Sequence, residues 1–255
     1  MNSSVSADAL IPLAKAAAKE ALRFRDTVAS EEKFPVTDAD RASNALLEKG
    51  LSRYGLPVVS EENDVVIPDA GDAWVIDPLD GSADFIAGDG DWCIMVGLVR
   101  EGSPILGIVY ALETDICWTA EKGKGAFLHH GTAVEKMTVS AISSPEEGTF
   151  LVSKAHPSDK ANTVLAMLRA KSRAIGSIGI KFGTIAGGNA EMYATDAPLG
   201  EWDVCAPQLI LEEAGGKVTD LSGNAIRYGA PARRLLNGCA ASNRALHPAL
   251  LHAMV

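Results

Sequence analysis

The sequence lacks most of what would tie it to nucleic acid, a membrane or a disulfide framework. Lysine and arginine number 23 against 33 aspartates and glutamates in 255 residues, a formal charge of -10. No basic stripe runs along any segment that could neutralise a row of phosphates, so nucleic acid and anionic membrane surfaces are poor partners. The longest apolar stretches, Cys93 to Val99 and Pro104 to Leu112, contain glycine and stop well short of the roughly 20 residues that cross a bilayer. Met1 to Asp8 has neither the positive start nor the apolar run of a secretory signal, and a cytoplasmic location is expected. The four cysteines, Cys93, Cys117, Cys205 and Cys239, are far apart and flanked by apolar residues, which suits core thiols in a reducing compartment. His129 and His130 precede Gly131 in an expected turn, and His247 and His252 lack the i, i+4 spacing of two ligands on one helical face. No EF-hand loop, Walker A motif, kinase signature set or Gly-x-Ser-x-Gly elbow occurs.

What is present is enough apolar sequence, 47%, for one sizeable core or two small ones sharing an interface. From Asp8 to Asp26 the residues Leu10, Leu13, Ala17, Ala21 and Phe24 recur at helical spacing, with Pro12 tolerated near the first turn. A second helix is predicted from Thr37, a capping residue, to Gly50 or Gly55, which puts Asp40 in its first turn. Five short β-rich runs follow, 56–60, 73–77, 92–99, 104–111 and 116–120, and their short turns imply an antiparallel sheet. The second half alternates: a strand at 149–153, a helix after Pro157 to Leu168, a strand at 173–177, and helices at 179–187 and 202–214. The change of pattern near Val134 to Pro145 divides the chain into a 1–135 α+β half and a 136–255 α/β half.

Four acidic segments stand at the ends of apolar strands or the starts of helices: Asp38 to Asp40, Glu61-Glu62, Asp77 to Ser82, and Glu201 to Asp203. In Asp77-Pro78-Leu79-Asp80-Gly81-Ser82 a strand delivers Asp77, proline is expected to stop it, and Asp80-Gly81 turns the chain into a helix. Two carboxylates and the Leu79 carbonyl can then face one point. Singly, each segment reads equally well as an ordinary turn or a solvated acidic pair. Carboxylates that converge must either take strongly raised pKa values or share a cation, and an oxygen-only set without His or Cys suits Mg²⁺. Two such ions about 4 Å apart would clamp a phosphate, so phosphoester hydrolysis fits the layout.

These segments, in this order, resemble the lithium-sensitive, Mg²⁺-dependent phosphatases of the inositol monophosphatase and fructose-1,6-bisphosphatase superfamily. The resemblance rests on Trp74 to Ser82, on Glu201 to Pro207 followed by Glu213 to Gly216, and spans about Leu10 to Asn243. Trp202 to Leu211 with Gly216 to Asn224, and Pro104 to Tyr110, are most similar to its 3′(2′),5′-bisphosphate nucleotidases of the CysQ type. The resemblance implies an α/β (α+β) fold layered as an αβαβα sandwich, with the site between the halves. It implies that Glu61, Asp77 and the Leu79 carbonyl hold one Mg²⁺, and that Asp77, Asp80 and Asp203 hold a second. A third, weaker ion would share Glu61 through waters. Asp40 and Ser82, with Glu61, would serve catalysis, and Gly81, Ser82, His156, Lys181 and Asp203 would meet the substrate, adenosine 3′,5′-bisphosphate. A monomer or weak homodimer is implied.

Two positions depart from the pattern. Ser82 stands where relatives carry threonine, keeping the hydroxyl and losing a methyl. Lys154 stands where the nucleotidases carry arginine, replacing a bidentate fork by a point charge. An inositol or sugar monophosphate phosphatase would share all the metal chemistry, and a non-catalytic nucleotide sensor is the alternative of a different class.

Overall fold

The computed structural model describes residues 5–25, 38–68, 71–155, 158–229 and 234–254. A short 3-10 turn, Asp8–Leu10, leads into α1 (Ile11–Leu22), whose Pro12 sits in the first turn. The helix ends earlier than the periodicity suggested, with Arg23 at its cap. The second helix, α2 (Asp38–Leu51), has Asp40 in its first turn as expected, while Thr37, its expected cap, lies outside the described residues. A 3-10 turn follows and closes on Gly55 in the left-handed region at φ 67.

The first sheet is built from β1 (Val58–Ser60), β2 (Asp72–Asp80), β3 (Cys93–Arg100), β4 (Ser103–Ala111), β5 (Ile116–Glu121), β6 (Gly125–His130) and β7 (Ala133–Lys136), in that spatial order. A short helix, α3 (Ser82–Ala87), interrupts the run after β2. From β2 to β7 neighbours are antiparallel, but β1 runs parallel to β2, pairing Val58 with Trp74 and Ser60 with Ile76. This corrects the wholly antiparallel expectation. The chain after β1 returns to its start, where Trp74 N–H donates to Pro57 O at 2.9 Å, so β1 and β2 end at the same edge and bring Glu61 beside Asp77. His129 and His130 also differ from expectation, belonging to β6 with the turn after them.

Alternation along the strands gives the sheet two buried faces. Trp74, Ile76, Ile94, Val96 and Ile108 pack with α1 and α2 on one side. Ala73, Val75, Met95 and Val109 face the other.

The second half contains β8 (Thr149–Ser153), α4 (Asp159–Leu168), β9 (Lys171–Ile175), α5 (Ile178–Ala186), β10 (Met192–Thr195), β11 (Leu199–Gly200), α6 (Glu201–Glu213), β12 (Lys217–Thr219), β13 (Arg234–Leu236), β14 (Cys239–Ser242) and α7 (His247–Met254). Its sheet runs β12-β14-β10-β8-β9, with β8 parallel to both β9 and β10. The strand expected at 173–177 ends at Ile175, because Ser177 instead caps α5 by accepting the Ile180 N–H. Helices α5 and α6 lie between the sheets, and α4 and α7 cover the far face of the second. The order of layers is therefore αβαβα, as the resemblance implied. Close approach of α6 to the first sheet depends on Gly97 and Gly107, paired across β3 and β4. A Cβ on Gly97 would stand 2.6 Å from Cys205 Sγ, and one on Gly107 2.5 Å from Ala206 O. Among the described residues no helix is long and apolar enough to cross a membrane.

Candidate active site

Asp77 continues the parity of Ala73 and Val75, so its side chain leaves the sheet on the α6 side, and Asp203 stands in the first turn of α6. Glu61 follows the last residue of parallel β1. Proline does not end β2 as expected: the strand passes Pro78 through a register shift between Asp77 and Asp80 and reaches Asp80. That bulge re-aims two successive carboxylates at one end of the strand. Gly81 then caps α3 with φ 96, in the left-handed region.

Together Asp40, Glu61, Asp77, Asp80, Ser82 and Asp203 line a hollow of about 330 Å³, with Leu79 and Gly81 also on its wall. All the predicted metal ligands are thus brought together with Asp40 and Ser82. A larger hollow, about 750 Å³, lies at the other end of β2 beside Asp72 and Arg100, away from this cluster.

The carboxylates are held by identifiable donors. Leu79 N–H donates to Asp77 Oδ1 at 2.9 Å, and Gly200 N–H to Asp203 Oδ2 at 2.6 Å. Asp80 Oδ2 accepts from the Ser177 hydroxyl and from Gly179 N–H at 2.8 Å. The Cys93 thiol lies 3.2 Å from Ser177 Oγ and also donates to Asp80 Oδ2 at 3.7 Å. The other oxygens, Asp77 Oδ2 and Asp80 Oδ1, accept no hydrogen bond from the described residues. Ser82 Oγ donates to Leu79 O at 3.3 Å.

Electrostatics distinguish this cluster from a set of solvated acids. Burial pushes Asp77 well above the usual carboxylate range, and the charges of Glu61, Asp80 and Asp203 push it further against the Leu79 N–H. Asp80 is raised by burial too, with Ser177, Gly179 and the charge of Lys181 pulling the other way. Glu62 is raised by burial and then by Asp40. Two oxygens open to a further partner, in an oxygen-only set whose members repel one another, fit a hard divalent cation such as Mg²⁺.

Lys181, implied by the resemblance to meet the substrate, is a buried lysine. It is 1% exposed, donates to Gly176 O at 2.6 Å and Ser153 Oγ at 3.1 Å, and lies 5.0 Å over the Tyr193 ring. Burial pulls it down to about 8 against the charges of Asp80, Asp84 and Asp91. It lines a second hollow, about 400 Å³, that shares Asp80, Gly176 and Asp203 with the first. His156 lies outside the described residues. Glu201 is buried and accepts the Gly229 N–H at 2.8 Å.

A model of the inositol monophosphatase family matches residues 3–255. The chain belongs to this family. It is 30% identical to a Salmonella typhimurium protein named 3′(2′),5′-bisphosphate nucleotidase CysQ, over 81% of this chain and 84% of that one. It is also 30% identical to a Mycobacterium tuberculosis protein named histidinol-phosphatase, over 85% and 83%. Among solved structures, an IMPase of Thermotoga maritima superposes with a TM-score of 0.82 at 25% identity, over 97% of this chain and 95% of that one. Membership agrees with the phosphatase chemistry that the carboxylate set suits.

The residues behind Asp80, namely Cys93, Gly176, Ser177 and the Gly179 N–H, were not singled out from sequence as its supports. Ser177 is 97 positions from Asp80, and no local signal joins them.

Proposed function

We propose that the chain is a Mg²⁺-dependent phosphomonoesterase that cleaves adenosine 3′,5′-bisphosphate to AMP and phosphate, clearing a by-product of sulfate assimilation. The observation that carries this reading is the pair of adjoining hollows that share Asp80, Gly176 and Asp203. One offers carboxylates for metal and phosphate, and the other has room for a large leaving group beside the buried Lys181. Relatives named as bisphosphate nucleotidases support the same substrate.

Glu61, Asp77, Asp80, Asp203 and the Leu79 carbonyl would hold Mg²⁺. When bound, Mg²⁺ supplies Lewis acidity toward the phosphoryl oxygens and the departing alkoxide. Ser82, donating to Leu79 O, keeps its lone pairs directed elsewhere, so its oxygen can accept a hydrogen bond from the attacking water and help to orient it. Asp40, in the first turn of α2, orients that water as the second acceptor. In-line attack forms the new P–O bond as the ester P–O bond breaks, and the leaving oxygen takes a proton. Lys181 gives the second hollow a positive wall for the other phosphate. Four unpaired cysteines support a reducing, cytoplasmic setting.

The relative named histidinol-phosphatase, at the same 30% identity, favours a second reading in which a smaller phosphate monoester is the substrate. The test is phosphate release with Mg²⁺ from adenosine 3′,5′-bisphosphate, inositol 1-phosphate and histidinol phosphate at equal concentration, with and without lithium. Preference for the bisphosphate, suppressed by lithium, is expected. Preference for either monoester would keep the metal chemistry and replace the substrate, and no release from any would favour a sensor.

A further inference from the structure

Beside the site stands a second group of acids, Asp84, Asp89 and Asp91, whose ligand oxygens all lie within 4.8 Å of one another. Lys154, just past the end of β8, reaches across to it. Its ammonium is 2.6 Å from Asp91 Oδ2 and 3.1 Å from Asp89 Oδ2. Asp91 Oδ2 also accepts the Gly176 N–H at 3.1 Å, and Asp91 O accepts the Ser177 N–H at 3.1 Å. The 176–177 turn is therefore docked on Asp91 by both its amides. It is packed so closely that a Cβ on Gly176 would overlap the Asp84 carboxylate. From this same turn Ser177 Oγ and, two residues on, Gly179 N–H grip Asp80 Oδ2. A continuous path of direct contacts runs from Lys154 through Asp91 and Gly176-Ser177 to Asp80.

We infer that Asp91 is a positioning residue for Asp80, with Lys154 as its counter-charge, and that Lys154 serves this clasp rather than the substrate phosphate. The inference rests on the metal-dependent reading of the site. With the turn fixed, Asp80 Oδ2 is held by its donors and Oδ1 is the oxygen left to meet a cation. With Asp91 truncated, Gly176 N–H loses its acceptor and the turn can move away from Asp80. Neutralising Lys154 leaves Asp89 and Asp91 to repel each other and Asp84, which loosens the same turn less. Arginine at position 154 restores the charge.

Binding of Mn²⁺ alone, followed by its electron paramagnetic resonance, tests this in the full chain without turnover, using D91A, K154M and K154R. Residues that orient a metal ligand typically contribute 10- to 100-fold in affinity, so D91A is expected to weaken binding by about 10-fold, K154M by a few-fold, and K154R hardly at all. In parallel, phosphate release should show a raised Mg²⁺ requirement with an unchanged substrate KM at saturating Mg²⁺. Lys154 is 34% exposed, so K154M and K154R do not put folding at risk if D91A does. Unchanged Mn²⁺ binding in D91A and K154M overturns the inference while leaving the metal reading intact. A raised substrate KM in K154M with an unchanged Mg²⁺ requirement overturns it in favour of a phosphate ligand. Absence of Mn²⁺ binding by the unsubstituted chain removes the metal reading and the inference together.

Discussion

The two acidic groups differ in what meets their charge. At Asp84, Asp89 and Asp91 the protein supplies its own cation, since Lys154 pairs with two of the three. At Asp77 the largest influences after burial are three further carboxylates, and all of them push the same way. In the first group Lys154 offsets part of the repulsion and ties Asp89 and Asp91 into a structural clasp, although burial and the charges of Asp89 and Asp91 still push Asp84 up to about 6. In the second, carboxylate repulsion adds to burial at Asp77, an imbalance of the kind that gathers at functional sites. Proximity of acids alone therefore does not identify a metal centre, because the tighter group by distance is the one that already holds a lysine.

The largest effect that could break this contrast comes from removing charge in each group. D77N or D80N should lower phosphate release about 1000-fold, the upper range for one preorganised electrostatic group. D89N should lower it less than about 10-fold, because its role is one remove further back than that of groups orienting a metal ligand. Equal losses in steady-state assays would erase the distinction. Next in size is Ser82. S82A should cost about 100-fold, the lower end for one preorganised hydrogen-bonding group at the reacting centre, while S82T should stay near the unsubstituted rate, and a rate for S82A close to that of the unsubstituted chain would remove Ser82 from catalysis.

A third effect sharpens the contrast through stability. Asp77 has a folded-state pKa raised above its ordinary value of 3.8, so between 3.8 and that raised value the folded chain binds more protons than the unfolded one. The contribution of Asp77 to metal-free stability should then fall as pH rises through this window. Urea titrations at pH 5 and pH 7 in chelator should show D77N losing less stability over this interval than the unsubstituted chain. Mg²⁺ should restore stability at pH 7 in the unsubstituted chain. A D77N profile parallel to the unsubstituted one would contradict the electrostatic account. The smallest effect runs the opposite way. His247, buried between Thr219 and Ser242, is pulled by burial from 6.5 down to about 4. Its contribution is present above pH 6.5 and is lost as pH falls toward 4, so H247Q should flatten the acid side of the same curve.

Much of this was legible from the residues themselves. Capping and spacing put Asp40 in a first helical turn, and the Asp77 to Ser82 run announced two carboxylates at a strand end. Such features depend on residues within a turn or two of one another, where backbone preference decides. The proline at position 78 misled for a related reason. Its effect on a regular strand is local and unfavourable, but a bulge at that point removes the need for the missing N–H.

Other features had no local sign. The parallel pairing of β1 with β2 brings Glu61 to Asp77, and it follows from how the chain returns between them. Lys181 becomes a buried neighbour of Asp80 only because α5 packs between the sheets. Lys154 looked like a weakened phosphate ligand until Asp89 and Asp91 were placed against it. The sequence by itself determined the first two helices, the leading strands and helices of each half and the carboxylates at their ends, through periodicity and turn chemistry over a few residues. The tertiary structure decided which acids converge on one hollow and which share a lysine, because contacts across nearly 100 positions, such as Ser177 to Asp80, form only when whole layers pack.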